Sequence, residues 1–170
     1  MELDSITIDF PNSSSVLYPP SRDKTLPVEV PEEYRADFEE ARTVLDISPK
    51  ASAALSRRLM QKIFREQLGI KKRDLSQEIH HFVDSSQAPA YLTGAVDAVR
   101  QIGNFASHPL KFTNTGEIVD VEDGEADWTL QVVETLLDFA FVQPARLAQR
   151  RESLEKKLLS LGKPPLKGGA

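Results

Sequence analysis

Residues 48–69 read SPKASAALSRRLMQKIFREQLG, and the fold follows from them. Ser48-Pro49 is a helix start. The serine hydroxyl suits an N-cap, and proline at the first helical position gives up an N–H that has no partner there. Gly69 is the matching stop. At 100° per residue Leu55, Leu59, Met60, Ile63 and Phe64 share one broad face, while Arg58, Lys62 and Arg65 fall together on the opposite side. Arg57 lies at the border of the apolar face, near Phe64. A helix of this length must bury its apolar face against others, and the flanking sequence supplies them.

Upstream, Pro31 followed by Glu32 and Glu33 opens a first helix expected to run to about Asp46. Downstream, Asp74 caps a third helix through Val83. Pro89 opens a fourth, which ends before Pro109. Asp123 or Asp127 starts a fifth, through Trp128, Leu130, Val133, Leu137 and Phe141, and Pro144 begins a sixth. Trp128, Phe139 and Phe141 read as core. Before residue 31, Ile6, Ile8 and Phe10 alternate with polar residues as a half-buried strand does, and Val16-Leu17-Tyr18 is a second short run. Asn114-Thr115-Gly116, flanked by Phe112, Ile118 and Val119, suggests a small hairpin over 112–121. Lys163 to Ala170 is Pro/Gly/Lys-rich and reads as disordered. The prediction is an all-α fold, an antiparallel helical bundle with a short extended N-terminal arm or small β-hairpin. Its units are an arm over 1–30, a helical domain over 31–143, and a basic helix with its tail over 144–170.

Composition narrows the function. The chain has 170 residues, 40% hydrophobic and 28% charged, with no cysteine, so disulfides, thiolate metal sites and a cysteine nucleophile are excluded. No apolar run is long enough to span a membrane, and Met1 to Phe10 lacks the features of a secretory leader; a cytoplasmic location is expected. The net charge of −5 is unevenly spread: residues 1–40 hold 3 basic and 10 acidic side chains, whereas Lys50 to Arg73 holds 8 basic residues and one acid. A basic segment in an acidic chain suits an anionic partner, and equally a solvated helix face.

The fourth helix carries the most chemistry. Leu92, Ala95, Val96, Val99, Ile102, Gly103 and Ala106 form its apolar face. Arg100, Asn104 and His108 are spaced i, i+4, i+8 along one edge, over about 12 Å of helix. A guanidinium, an amide and an imidazole thus line one edge. The same spacing suits a C-terminal cap, with His108 and Asn104 satisfying the last carbonyls and Arg100 tied to Asp97. Gly103 inside a helix costs about 1 kcal/mol relative to alanine unless another element packs against it. His80 and His81 are adjacent, point about 100° apart and read as ordinary helix residues, one of them half-buried. There is no phosphate-binding glycine loop and no nucleophile elbow, and no metal or cofactor is expected.

The stretches Leu45 to Lys50, Ser56 to Gln61 and Arg100 to His108 together resemble the bacterial domain-of-unknown-function family forty-one forty-five, which is similar to HEPN domains. The resemblance covers about Pro31 to Pro144. It implies a helical bundle, commonly dimeric, of prokaryotic defence or toxin-type systems, with the polar edge of the fourth helix facing a cleft. By that resemblance His108 would take the proton of a ribose 2′-hydroxyl, Arg100 or Arg57 would stabilise the phosphorane, Asn104 would complete the catalytic set, and Arg57, Arg58, Lys62 and Arg65 would hold nucleic acid. Seven residues separate Arg100 from His108, a wider spacing than in the catalytic HEPN ribonucleases. That spacing favours an RNA-binding domain over a metal-independent ribonuclease. The other reading is a non-catalytic dimerisation or adaptor module in a regulatory or defence complex. Leu147, Leu154, Leu158 and Leu161 give the last helix an apolar stripe suited to a homodimer.

Overall fold

The computed structural model describes the strands β1 (Thr7–Phe10) and β2 (Ser13–Val16) together with residues 25–85, 87–107 and 123–166; the side chains described are those of 25–85, 87–101 and 124–166. The fold class is all-α. The helices are α1 (Glu32–Thr43), α2 (Pro49–Lys62), α3 (Leu75–Asp84), α4 (Ala90–Ser107), α5 (Asp123–Leu137) and α6 (Gln143–Ser160). The strands pair antiparallel, Thr7 opposite Val16 and Phe10 opposite Ser13. The hairpin expected over 112–121 lies outside the described residues.

The capping signals act as their chemistry requires. Ser48 Oγ accepts from Ala51 N at 3.3 Å with Pro49 in the first turn, and Asp74 Oδ1 accepts from Gln77 N at 3.0 Å. Gly69 takes φ +68°, a left-handed conformation in which a Cβ would be strained. The first helix stops at Thr43, short of Asp46, because the chain tightens into turns that deliver Ser48 N to the Val44 carbonyl at 2.7 Å.

Two segments depart from α-helical pitch. The last turn after α2, Ile63–Gln67, and the link between α5 and α6, Asp138–Val142, are π-helical. Pro144 was expected to begin a separate helix; instead α5 runs through the π turn into α6 without a break. Pro144 has no N–H to give the carbonyl four residues earlier, that of Ala140. Gln67 Nε2, from the other π segment, donates to that carbonyl at 3.3 Å.

The core lies between α2 and α5, with α1, α3 and α4 closing its sides. α2 contributes Leu59 and Met60 and the π turn after it Ile63 and Phe64, all fully buried, and α4 contributes Leu92, Val96 and Val99 on one stripe. Small residues on α2, Ser52, Ala53 and Ser56, are also buried. Phe64 tilts against Phe82 at 5.2 Å between centroids, Phe139 meets Phe82 edge-on, and Phe141 tilts against Tyr34 at 4.8 Å. Trp128 departs from expectation: it is 42% exposed. The buried face of α5 is broad, taking in Ala126, Thr129, Leu130, Val132, Val133, Leu136 and Leu137, and Trp128 falls just outside it, about 40° beyond Val132. Among the described residues no helix is long and apolar enough to cross a membrane.

Candidate functional site

The basic side chains of α2 were expected to form one solvent-facing stripe. The structure instead gives Arg65 to α3 and Lys62 to α1 and leaves Arg58 exposed. Arg65 Nε contacts the Glu78 carboxylate of α3 at 2.6 Å, and that carboxylate is fully buried. Gln61 Nε2 donates to its other oxygen at 2.9 Å and the Lys72 amide donates at 3.3 Å. A buried carboxylate survives only when its lone pairs are filled and its charge is opposed, and here three donors do so, one of them a guanidinium. The signal was in the sequence: Glu78 interrupts the apolar stripe Leu75, Ile79, Phe82, and Gln61 and Arg65 stand one helical turn apart.

Lys62 turns toward α1. Its Nζ lies 2.9 Å from Asp37 and 3.5 Å from Glu33, and 4.6 Å from the centre of the Tyr34 ring. Burial works against the ammonium, but Asp37 and Glu33 outweigh it and hold its pKa above the usual lysine range. The Tyr34 hydroxyl donates to Glu66 at 2.9 Å, and burial together with Glu66 pushes the phenol's pKa up. Between these residues lies a cleft of about 450 Å³ bordered by Asp37, Glu40, Leu55, Arg58, Lys62 and Glu66. Its rim mixes both charges, so no single-sign field is focused there. Arg58 stays exposed at that rim.

Arg57 belongs to the other side of α2. It reaches α4, where Nη1 donates to the Val99 carbonyl at 3.0 Å. Burial lowers its pKa, and among the described residues no carboxylate lies within ion-pair distance of it. The next residue on α4, Arg100, is closed on Asp97 at 2.8 Å. The structure therefore takes Arg57 to the backbone of α4 at the residue before Arg100, and places Arg58, Lys62 and Arg65 elsewhere. The side chain of Asn104, the residue His108 and the surroundings of Gly103 lie outside the described residues. His80 and His81 are both exposed, so neither is half-buried as expected; His80 Nδ1 faces Asp84 at 3.2 Å. Among the described residues no group of three or more His, Asp or Glu side chains is arranged to hold a metal.

The contact of Arg57 with a backbone carbonyl on α4 was not legible in the sequence, because helix periodicity gives a direction and not a partner. Its border position on α2 was. Comparison with known proteins adds one finding: the family described as Domain of unknown function (DUF4145) matches residues 39–157, a stretch running from α1 almost to the end of α6. No curated protein and no solved structure matches the chain.

Proposed function

The chain belongs to the DUF4145 family, and on that footing we propose that it is a HEPN-like helical domain of a prokaryotic defence or toxin-type system that binds nucleic acid, RNA first of all, without cleaving it. One observation carries the reading. Arg57 is a largely desolvated guanidinium spending one N–H on a backbone carbonyl, while its basic neighbours Lys62, Arg65 and Arg100 are each closed on a carboxylate. A guanidinium offers five N–H donors in a fork that fits phosphate oxygens. Arg57 therefore has donors to spare where α2 meets the backbone of α4 at Val99. The closure of Arg100 on Asp97 supports binding over cleavage, because a transition-state clamp needs its charge uncommitted.

The test is a fluorescence titration with single-stranded RNA at several salt concentrations. Arg57→Ala should weaken binding at least tenfold and reduce the salt slope by about one. Arg57→Lys, which keeps the charge and loses the fork, should fall between. Arg58→Ala should change affinity far less. His108→Ala should weaken binding while the melting temperature stays near the parent's. If Arg57→Ala folds and binds RNA as tightly as the parent, the reading is wrong.

A further inference from the structure

α1 runs antiparallel to α2 and the π turn that extends it, and polar side chains tie them together in rungs. The Tyr34 hydroxyl donates to Glu66 at 2.9 Å, and one turn further on Lys62 meets Asp37 at 2.9 Å. The steps are three residues on α1 and four on α2, so the next rung is Glu40 with Arg58. That rung is open. Glu40 and Arg58 are both exposed, both border the cleft of about 450 Å³, and no ion pair joins them. Among the described residues neither side chain has a partner. The other charges around the cleft are committed: Lys62 to Asp37 and Glu33, Arg65 to Glu78, Glu66 to Tyr34. Leu55 and Leu59 supply an apolar floor, Leu55 half-buried and Leu59 almost wholly so.

We propose that this cleft binds a zwitterionic ligand of the amino-acid class with an apolar side chain, its ammonium on Glu40, its carboxylate on Arg58 and its side chain on Leu55 and Leu59. The charge pattern selects that class. A polyanion would meet the carboxylates of Asp37, Glu40 and Glu66 beside a single free guanidinium, and a simple cation would meet Arg58. A ligand carrying both charges satisfies both open groups. The guanidinium fork matches a carboxylate with two parallel hydrogen bonds, and the Glu40 carboxylate, which only accepts, matches an ammonium. The volume falls within the ~300–1,000 Å³ of small-molecule sites. The walls are fixed beforehand: two carboxylates and the Tyr34 ring hold Lys62, and a buried carboxylate holds Arg65. The ligand therefore has little to order beyond Glu40 and Arg58 themselves. Both ionic contacts stay open to water, so the dissociation constant should be on the order of 1 mM. The inference does not rest on Arg57 or RNA, which belong to the α4 side of α2, and the two readings stand or fall separately.

The test is an NMR titration of the isotope-labelled full chain with phenylalanine, N-acetylphenylalanine and phenylalanine amide. Phenylalanine carries both charges, the acetylated form keeps only the carboxylate, and the amide keeps only the ammonium. Phenylalanine should shift the backbone amides around Glu40, Leu55 and Arg58 and saturate. Each derivative should bind about fivefold more weakly. Arg58→Ala should erase the advantage of phenylalanine over its amide, and Glu40→Gln its advantage over the acetylated form, because each variant removes the partner of one ligand charge. Both positions are exposed, so the melting temperature should stay at the parent's. Should a variant fail to fold, the ranking of the three ligands on the parent chain decides alone. A derivative that binds as tightly as phenylalanine overturns the inference. So do shifts centred on other residues, no saturation with phenylalanine up to about 10 mM, or folded variants that keep the parent's ranking.

Discussion

Removing Arg65 should cost more than removing the charge it opposes. In Arg65→Ala the Glu78 carboxylate stays fully buried, keeps the Gln61 and Lys72 donors, and loses its guanidinium. Breaking a buried pair costs about 3–5 kcal/mol when the survivor is stranded. The Arg65 side chain is 39% exposed, so part of the pair's energy is already screened by water. That brings the expected loss to about 2–4 kcal/mol. For a chain of this size the melting temperature should fall by roughly 5–12 °C. In Glu78→Gln the buried group becomes a neutral amide of the same shape, Gln61 can turn its own amide to match, and Arg65 can swing into water. That change should cost about 1–2 kcal/mol. Urea unfolding followed by far-UV circular dichroism measures both. An Arg65→Ala variant within about 0.5 kcal/mol of the parent, or a Glu78→Gln variant that is the more damaged of the two, would refute the reasoning.

Two further outcomes follow from the same structure. Ser52 and Ser56 are fully buried one turn apart, and neither hydroxyl has a hydrogen-bond partner. Ser52→Ala and Ser56→Ala should each leave stability unchanged or raise it by about 0.5–1.5 kcal/mol, because an unpaired buried hydroxyl is a net cost; a clear drop in melting temperature for either would mean the hydroxyl is bonded after all. Burial and Glu66 raise the Tyr34 phenol above its unfolded value of about 10. Below that value both states are neutral and the proton has no effect. Above it the unfolded chain ionises while the folded one resists, so stability should fall as pH rises, and denaturation at about pH 9 and about pH 11 should show the loss shrinking in Tyr34→Phe.

The helices were legible because their ends carry strong local chemistry. Ser48-Pro49, Gly69 and Asp74 each act through atoms within a few residues, so sequence alone locates them. The apolar stripes of α2 and α4 were legible for the same reason. What sequence did not give was the third dimension. Arg58, Lys62 and Arg65 share a direction on α2, yet α1 claims Lys62, α3 claims Arg65 and water keeps Arg58. Trp128 was misplaced because α5 buries so wide an arc that residue type and angle together do not separate a position at its margin from one inside it. Pro144 reads as a helix start by every local rule. It sits inside a continuous rod because a π turn precedes it and a glutamine from a distant segment serves the carbonyl it cannot reach.

That rod has a consequence for how the molecule presents itself. From Asp123 to Ser160 the backbone is helical throughout, a shaft on the order of 55 Å at the usual rise. Half of it is clamped in the bundle and half stands clear, so a rotation at one end is carried to the other. The five residues Asp138–Val142 set the phase between the two halves. Each residue gained or lost there turns everything beyond it by about 100°. Deleting one would leave the clamped half untouched and swing the outer leucines to a new bearing, so whatever α6 holds would be offered to the bundle from a different side.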